Sequence, residues 1–171
     1  MTPSTPTNPH DYDSFFTVRM RHIEESMTII TAVDQSDWAL SVVDEAQTLA
    51  AQFGEELHVL HVLTESEAID LDRRNVRETG KSKGRDGLAH IAADVASSAI
   101  DTTSDECHAV GRIGNPPEEI IAYAVDHNAR YIVVGGRKRS PVGKVVFGSV
   151  TQSVLLNAPC PVLTVGKEIT T

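Results

Sequence analysis

Residues 132–165 read IVVGGRKRSPVGKVVFGSVTQSVLLNAPCPVLTV. A short apolar strand stops at Gly135-Gly136, a basic loop follows, and Gly148-Ser149 opens a helix. After the break between Pro159 and Pro161 the chain becomes a strand again, Pro161-Val162-Leu163-Thr164-Val165. A strand that ends on glycine and feeds a helix gathers unpaired backbone N–H groups and the positive end of a helix dipole at one spot. That geometry suits a phosphate. Arg137, Lys138, Arg139 and Lys144 make the loop basic, in a chain whose formal net charge is −9.

Outward from this stretch the same alternation repeats. MTIITAVD, residues 27–34, is a short β-branched run of the kind that forms a buried strand. Ser36 is the expected N-cap of a helix whose apolar stripe is Ala39, Val42, Val43, Ala46, Leu49, Ala50 and Phe53, with Gly54 as its stop. A second strand covers 57–63, so the order is strand, helix, strand, a right-handed crossover between parallel neighbours. Residues 64–86 are polar and charged and predict a long connection or mobile lid holding at most a frayed helical turn. A helix is expected over about 88–99 and a third strand over 107–113. Asn115 followed by Pro116, Pro117, Glu118 and Glu119 then marks a helix start, with the acids complementing the dipole. That helix runs to about 128, a fourth strand covers 131–134, and a last helix over 149–156 precedes the fifth strand. Strands and helices in alternation predict an open, mostly parallel five-stranded α/β sheet with helices on both faces. Residues 1–26, opening MTPSTPTNP without any period, are expected to be a disordered tail.

The 171 residues suffice for one domain with a substantial core. The acidic balance argues against a nucleic-acid partner, which would favour a basic face. No apolar run approaches the roughly 20 residues of a membrane span, and no secretory signal is evident, so a cytoplasmic protein is expected. Two cysteines, Cys107 and Cys160, are too few for a disulfide scaffold and read as small apolar residues. The seven histidines show no metal spacing; His58 and His61, three apart on a strand, point to opposite faces. Neither a Gly-x-Ser-x-Gly elbow nor a Gly-x4-Gly-Lys-Ser/Thr loop is present.

Ligands of such sheets bind beyond the C-terminal strand ends where the strand order reverses. In an order 3-2-1-4-5 that point lies between strands one and four, and Asp34 would face Gly135-Gly136 across it. Each residue also has a plainer role. Asp34 can cap the turn through Ser36 or Asp37, and Gly135-Gly136 can simply turn the chain. Ser149 with Gln152 has capping-box spacing, a role compatible with phosphate at the N–H groups the cap leaves free.

These motifs together resemble the universal stress protein family. IITAVDQSDWAL carries an aspartate at the end of strand one, Gly114-x-Pro116 precedes an apolar Ile120, and Pro-x-Pro-Val-Leu-Thr-Val closes the domain. The nucleotide-binding branch carries Gly-x-x-Gly-x9-Gly-Ser/Thr after strand four. Here Gly135 and Gly148-Ser149 match its ends, while Lys138 stands at the middle glycine. The resemblance covers about residues 27–166, and the domain is taken as 27–168. It implies the adenine nucleotide alpha hydrolase-like order 3-2-1-4-5 and ATP, or another adenine nucleotide, as ligand. It also implies that Ala32, Val33 and Asp34 hold the adenine or ribose side and that Val62 lines the base pocket. Val134 and Gly135 would pass under the ribose, and Gly148, Ser149, Val150 and Thr151 would serve the phosphates, with Lys138 beside them. Mg2+ would be shared between phosphates and Asp34 or Ser149. The family pairs its fifth strands, so a homodimer through Val162, Leu163, Thr164 and Val165 is expected, together with a protein partner that reads the nucleotide state in a stress response. Any hydrolysis should be slow. The alternatives are a dimeric scaffold that binds no nucleotide and a weak phosphohydrolase.

Overall fold

The computed structural model describes residues 27–100, 107–136 and 147–166. The expected tail, residues 1–26, and the basic positions Arg137, Lys138, Arg139 and Lys144 lie outside them.

Five strands form one parallel sheet in the order β3-β2-β1-β4-β5: β1 Thr28–Ala32, β2 Glu56–Leu63, β3 Cys107–Ile113, β4 Ala129–Gly135 and β5 Val162–Val165. A parallel sheet is what the alternation predicts, and this order is the one the resemblance implies. β1 is central because TIITA carries a branched or small residue at every position and can be covered on both faces. Successive residues supply the two cores. Ile29 packs with Val59 and Val133 beneath Val42, Val43 and Ala46 of α1 (Ala39–Phe53) and Ala96 of α3 (Gly84–Ser98). Ile30 packs with Leu60 and Ile132 beneath Ile120 and Tyr123 of α4 (Pro116–Asp126) and Val154 of α5 (Ser149–Asn157). Each fully buried isoleucine contributes roughly 1.5–3 kcal/mol relative to exposure. Thr31, also buried, satisfies its hydroxyl by donating to the Val133 carbonyl at 3.1 Å.

Four local expectations need correction. Residues 64–86 are no loose connection: α2 spans Glu65–Thr79 and is followed directly by α3. Its start is a capping box, Thr64 accepting from the Glu67 N–H while the Glu67 side chain accepts from the Thr64 N–H. Ala68 and Leu71 anchor it against Leu63, Leu88, Ala92 and Ile113, and Asp72 accepts from the Lys83 N–H at 2.8 Å and from the Ser82 hydroxyl. α3 consequently begins at Gly84, a turn before Leu88. Ser36 does not cap α1; Trp38 holds the N-cap position, and the Ser36 hydroxyl is spent on Asp34. Ser149 likewise is the first helical residue of α5, with Gly148 in the N-cap position and no side-chain cap, so the Ser149–Gln152 capping box does not form.

Candidate functional site

β1 leaves the sheet towards α1 on one face, and β4 leaves towards α5 on the other. Ala32 and Val134 are paired neighbours at the point of divergence, and beyond them opens a crevice of about 1030 Å³. Its position is the one that the reversal of strand order demands.

The floor is apolar. Ala32, Val33 and Val134 lie along it, with Leu60 and Val62 from β2 and Ile120 from α4 at the sides. Val33 is held by its N–H donating to the Leu60 carbonyl at 2.9 Å, and its own carbonyl lies 2.8 Å from Nδ1 of buried His61. A carbonyl only accepts, so that contact places the proton on Nδ1. Asp34 turns the chain by accepting from the Ser36 N–H at 3.1 Å and from the Ser36 hydroxyl. This is the turn-capping role that the sequence allowed. Its other carboxylate oxygen is not used by that turn.

The polar end is built by β4 and α5. The Gly136 N–H donates to the Val165 carbonyl at 2.8 Å, and the Trp38 indole N–H reaches the same oxygen at 3.3 Å. Thr151 donates its hydroxyl to the Gly135 carbonyl at 3.0 Å, which ties the first turn of α5 to the end of β4. Gly148 is extended, with φ −67° and ψ 160°, and the helical ladder begins with Gln152 N–H to the Gly148 carbonyl at 2.9 Å. The N–H groups of Ser149, Val150 and Thr151 therefore have no acceptor within the helix, and the dipole adds positive potential there. Gly135 does not take positive φ. A Cβ on it would stand 3.3 Å from Val42 Cγ2 and 3.5 Å from Trp38 Cδ1, so its service is close packing.

Of the residues singled out in the sequence, Ala32, Val33, Asp34, Val62, Val134, Gly135, Gly148, Val150 and Thr151 come together around the crevice. Ser149 is exposed at the start of α5, outside the lining, and Lys138 falls outside the described residues. Trp38, His61, Thr64, Glu67 and Pro116 also line it, and none was assigned to the site from sequence. Thr64-x-x-Glu67 was legible as a capping box; the remainder depend on how β2, α1 and α4 converge. The Thr64 hydroxyl and backbone N–H hold the Glu67 carboxyl below its ordinary range, with a smaller push from His61, so this wall is anionic near neutrality.

The profile of the universal stress protein family matches residues 25–166. A universal stress protein of Methanocaldococcus jannaschii is 27% identical, the alignment covering 81% of this chain and 81% of the relative. The structure of a universal stress protein from Archaeoglobus fulgidus is similar at a TM-score of 0.55 and 34% identity, over 81% of this chain and 97% of that one. A structure from the same organism in complex with dAMP is similar at a TM-score of 0.52 and 29% identity, covering 81% and 96%. With fold, crevice and relatives in agreement over nearly the whole described chain, this protein belongs to the universal stress protein family.

Proposed function

We propose that the chain binds an adenine nucleotide, ATP above all, in the crevice between β1 and β4 and serves as a stress-response sensor or protective partner. The observation that carries this reading is one opening with an apolar floor at one end and, at the other, the first N–H groups of α5, which have no acceptor within the helix. A purine ring and a polyphosphate need those two environments side by side. The dAMP complex of the Archaeoglobus fulgidus relative supports the choice of adenine.

In this reading Ala32, Val33 and Val62 face the base, Asp34 offers its free carboxylate oxygen to the ribose, and Val134 and Gly135 pass beneath it. Gly148, Ser149, Val150 and Thr151 present backbone N–H groups to the phosphates, and Lys138 adds a charge from the loop. Mg2+ would arrive on the phosphates, with Asp34 or Ser149 as the protein oxygen. α2 is a wall with its own cap and apolar anchors, so occupancy has no need to order it. The nucleotide signal would pass instead through the β4–α5 connection to a protein partner, in a homodimer paired along β5.

Trp38 is the sole tryptophan of the chain and lines the crevice. ATP titrated into the purified protein should change its fluorescence saturably, with calorimetry giving one site per chain. No saturable binding at millimolar ATP would overturn the proposal in favour of a scaffold without nucleotide.

A further inference from the structure

We propose that Glu56, His58 and His108 form a binding site for a divalent transition-metal ion, zinc by ligand chemistry, at the end of the sheet remote from the nucleotide crevice. Spacing along the chain shows no metal pattern; pairing of the strands creates one. Glu56 and His58 are two apart on β2 and so share a face. His58 is in register with His108 on the parallel neighbour β3, which brings the second imidazole to the same face. Glu56 Oε2 lies 3.6 Å from His58 Nε2 and 3.8 Å from His108 Nε2, and the three ligand atoms fall within 4.8 Å of one another. Among the described residues no other cluster of three such groups occurs.

Metal–ligand bonds of about 2.0–2.1 Å in tetrahedral geometry put neighbouring ligand atoms about 3.3 Å apart. The two distances to Glu56 exceed that by a few tenths of an ångström. The side chains that must close are the exposed ones, Glu56 at 60% and His108 at 52% exposure. His58, at 13%, is the fixed point. Its Nδ1 lies 2.8 Å from the Tyr123 hydroxyl. With Nδ1–H donated to that oxygen, the lone pair sits on Nε2, facing Glu56. A metal-binding histidine characteristically has such a partner on its second nitrogen, which sets tautomer and ring orientation. Tyr123 is itself held in place, stacked on His127 at 3.8 Å between ring centres and contacted by the Arg112 guanidinium at 5.1 Å. Two imidazoles and a carboxylate are a ligand set that zinc accepts, with a fourth position left for water or an incoming group. The crevice opens at the C-terminal ends of the strands, whereas Glu56 begins β2. Metal and nucleotide would therefore bind independently.

The test uses the metal-free full chain without nucleotide, titrated with Zn2+ against a chromophoric chelator. One Zn2+ per chain is expected. Glu56→Gln and His108→Ala, both at exposed positions, should each weaken binding at least about tenfold, and Tyr123→Phe about tenfold while keeping the ring. Co2+ should produce the visible absorption of a four-coordinate centre in the wild type and lose it in His108→Ala, circular dichroism verifying that each variant is folded. Absence of stoichiometric Zn2+, or an affinity unchanged in either ligand variant, would overturn the proposal.

Discussion

At Gly111, in the middle of β3, an added Cβ would stand 1.9 Å from the Ala89 carbonyl oxygen and 2.5 Å from the Ala93 nitrogen. Both belong to the backbone of α3, which cannot yield as a flexible side chain would. The glycine is thus what allows α3 to lie directly on the strand, and its φ is not positive. Gly111→Ala must push the helix outward from Ala92 and Ala96, which are fully buried. The expected cost is about 1–3 kcal/mol or more, read as a lowered urea midpoint with an unchanged slope. Gly135, whose nearest obstacles are side-chain atoms at 3.3 and 3.5 Å, should tolerate alanine better in the same assay.

At the scale of the element, α2 shows how a mostly polar segment becomes a helix. Its apolar residues are few, and its buried anchor is small, Ala68 with the half-buried Leu71. The reciprocal cap at Thr64 and Glu67 and the Asp72 contacts to the α2–α3 turn complete it. Thr64→Ala should cost about 1 kcal/mol at neutral pH. The pH dependence follows from Glu67, whose folded pKa lies below its ordinary value chiefly because the Thr64 hydroxyl and N–H bond its charged form. The stabilisation is whole above the unfolded carboxyl value of about 4.5 and disappears as pH falls through the lower folded value. Urea denaturation of wild type and Thr64→Ala should therefore differ more at pH 7 than at strongly acidic pH, where only the cap bond from the Glu67 N–H still separates them.

In the molecule as a whole, the sheet has two edges. β3 and β5 are the two outer strands. β5 is four residues long and leaves Leu163 40% exposed, and Leu156 on α5 is 76% exposed. The exposed apolar side chains along this edge favour pairing with a second copy. Light scattering over a dilution series should show a dimer dissociating to monomer, and Leu163→Lys should shift the chain to monomer at concentrations where the wild type is paired. A wild type that stays monomeric throughout would count against pairing along β5.

Much of this architecture was legible because local periodicity records which face of a segment is apolar. The branched run of β1, the stripe from Ala39 to Ala50 and the Asn115-Pro116 start each reflect a preference that a few neighbouring residues impose. Their alternation is enough to require a parallel sheet, and Gly135-Gly136 at the end of β4 with the opening of α5 marked where a crevice lies. Three things waited on tertiary structure. α2 depended on the packing of Ala68 and Leu71 against Leu88 and Ala92. The walls supplied by Trp38, His61 and Glu67 depended on three elements meeting over one opening. The pairing of His58 with His108 depended on strand register. Register is chosen by the burial and hydrogen bonding of the whole sheet at once, and a segment read alone carries no record of which distant residue will lie beside it.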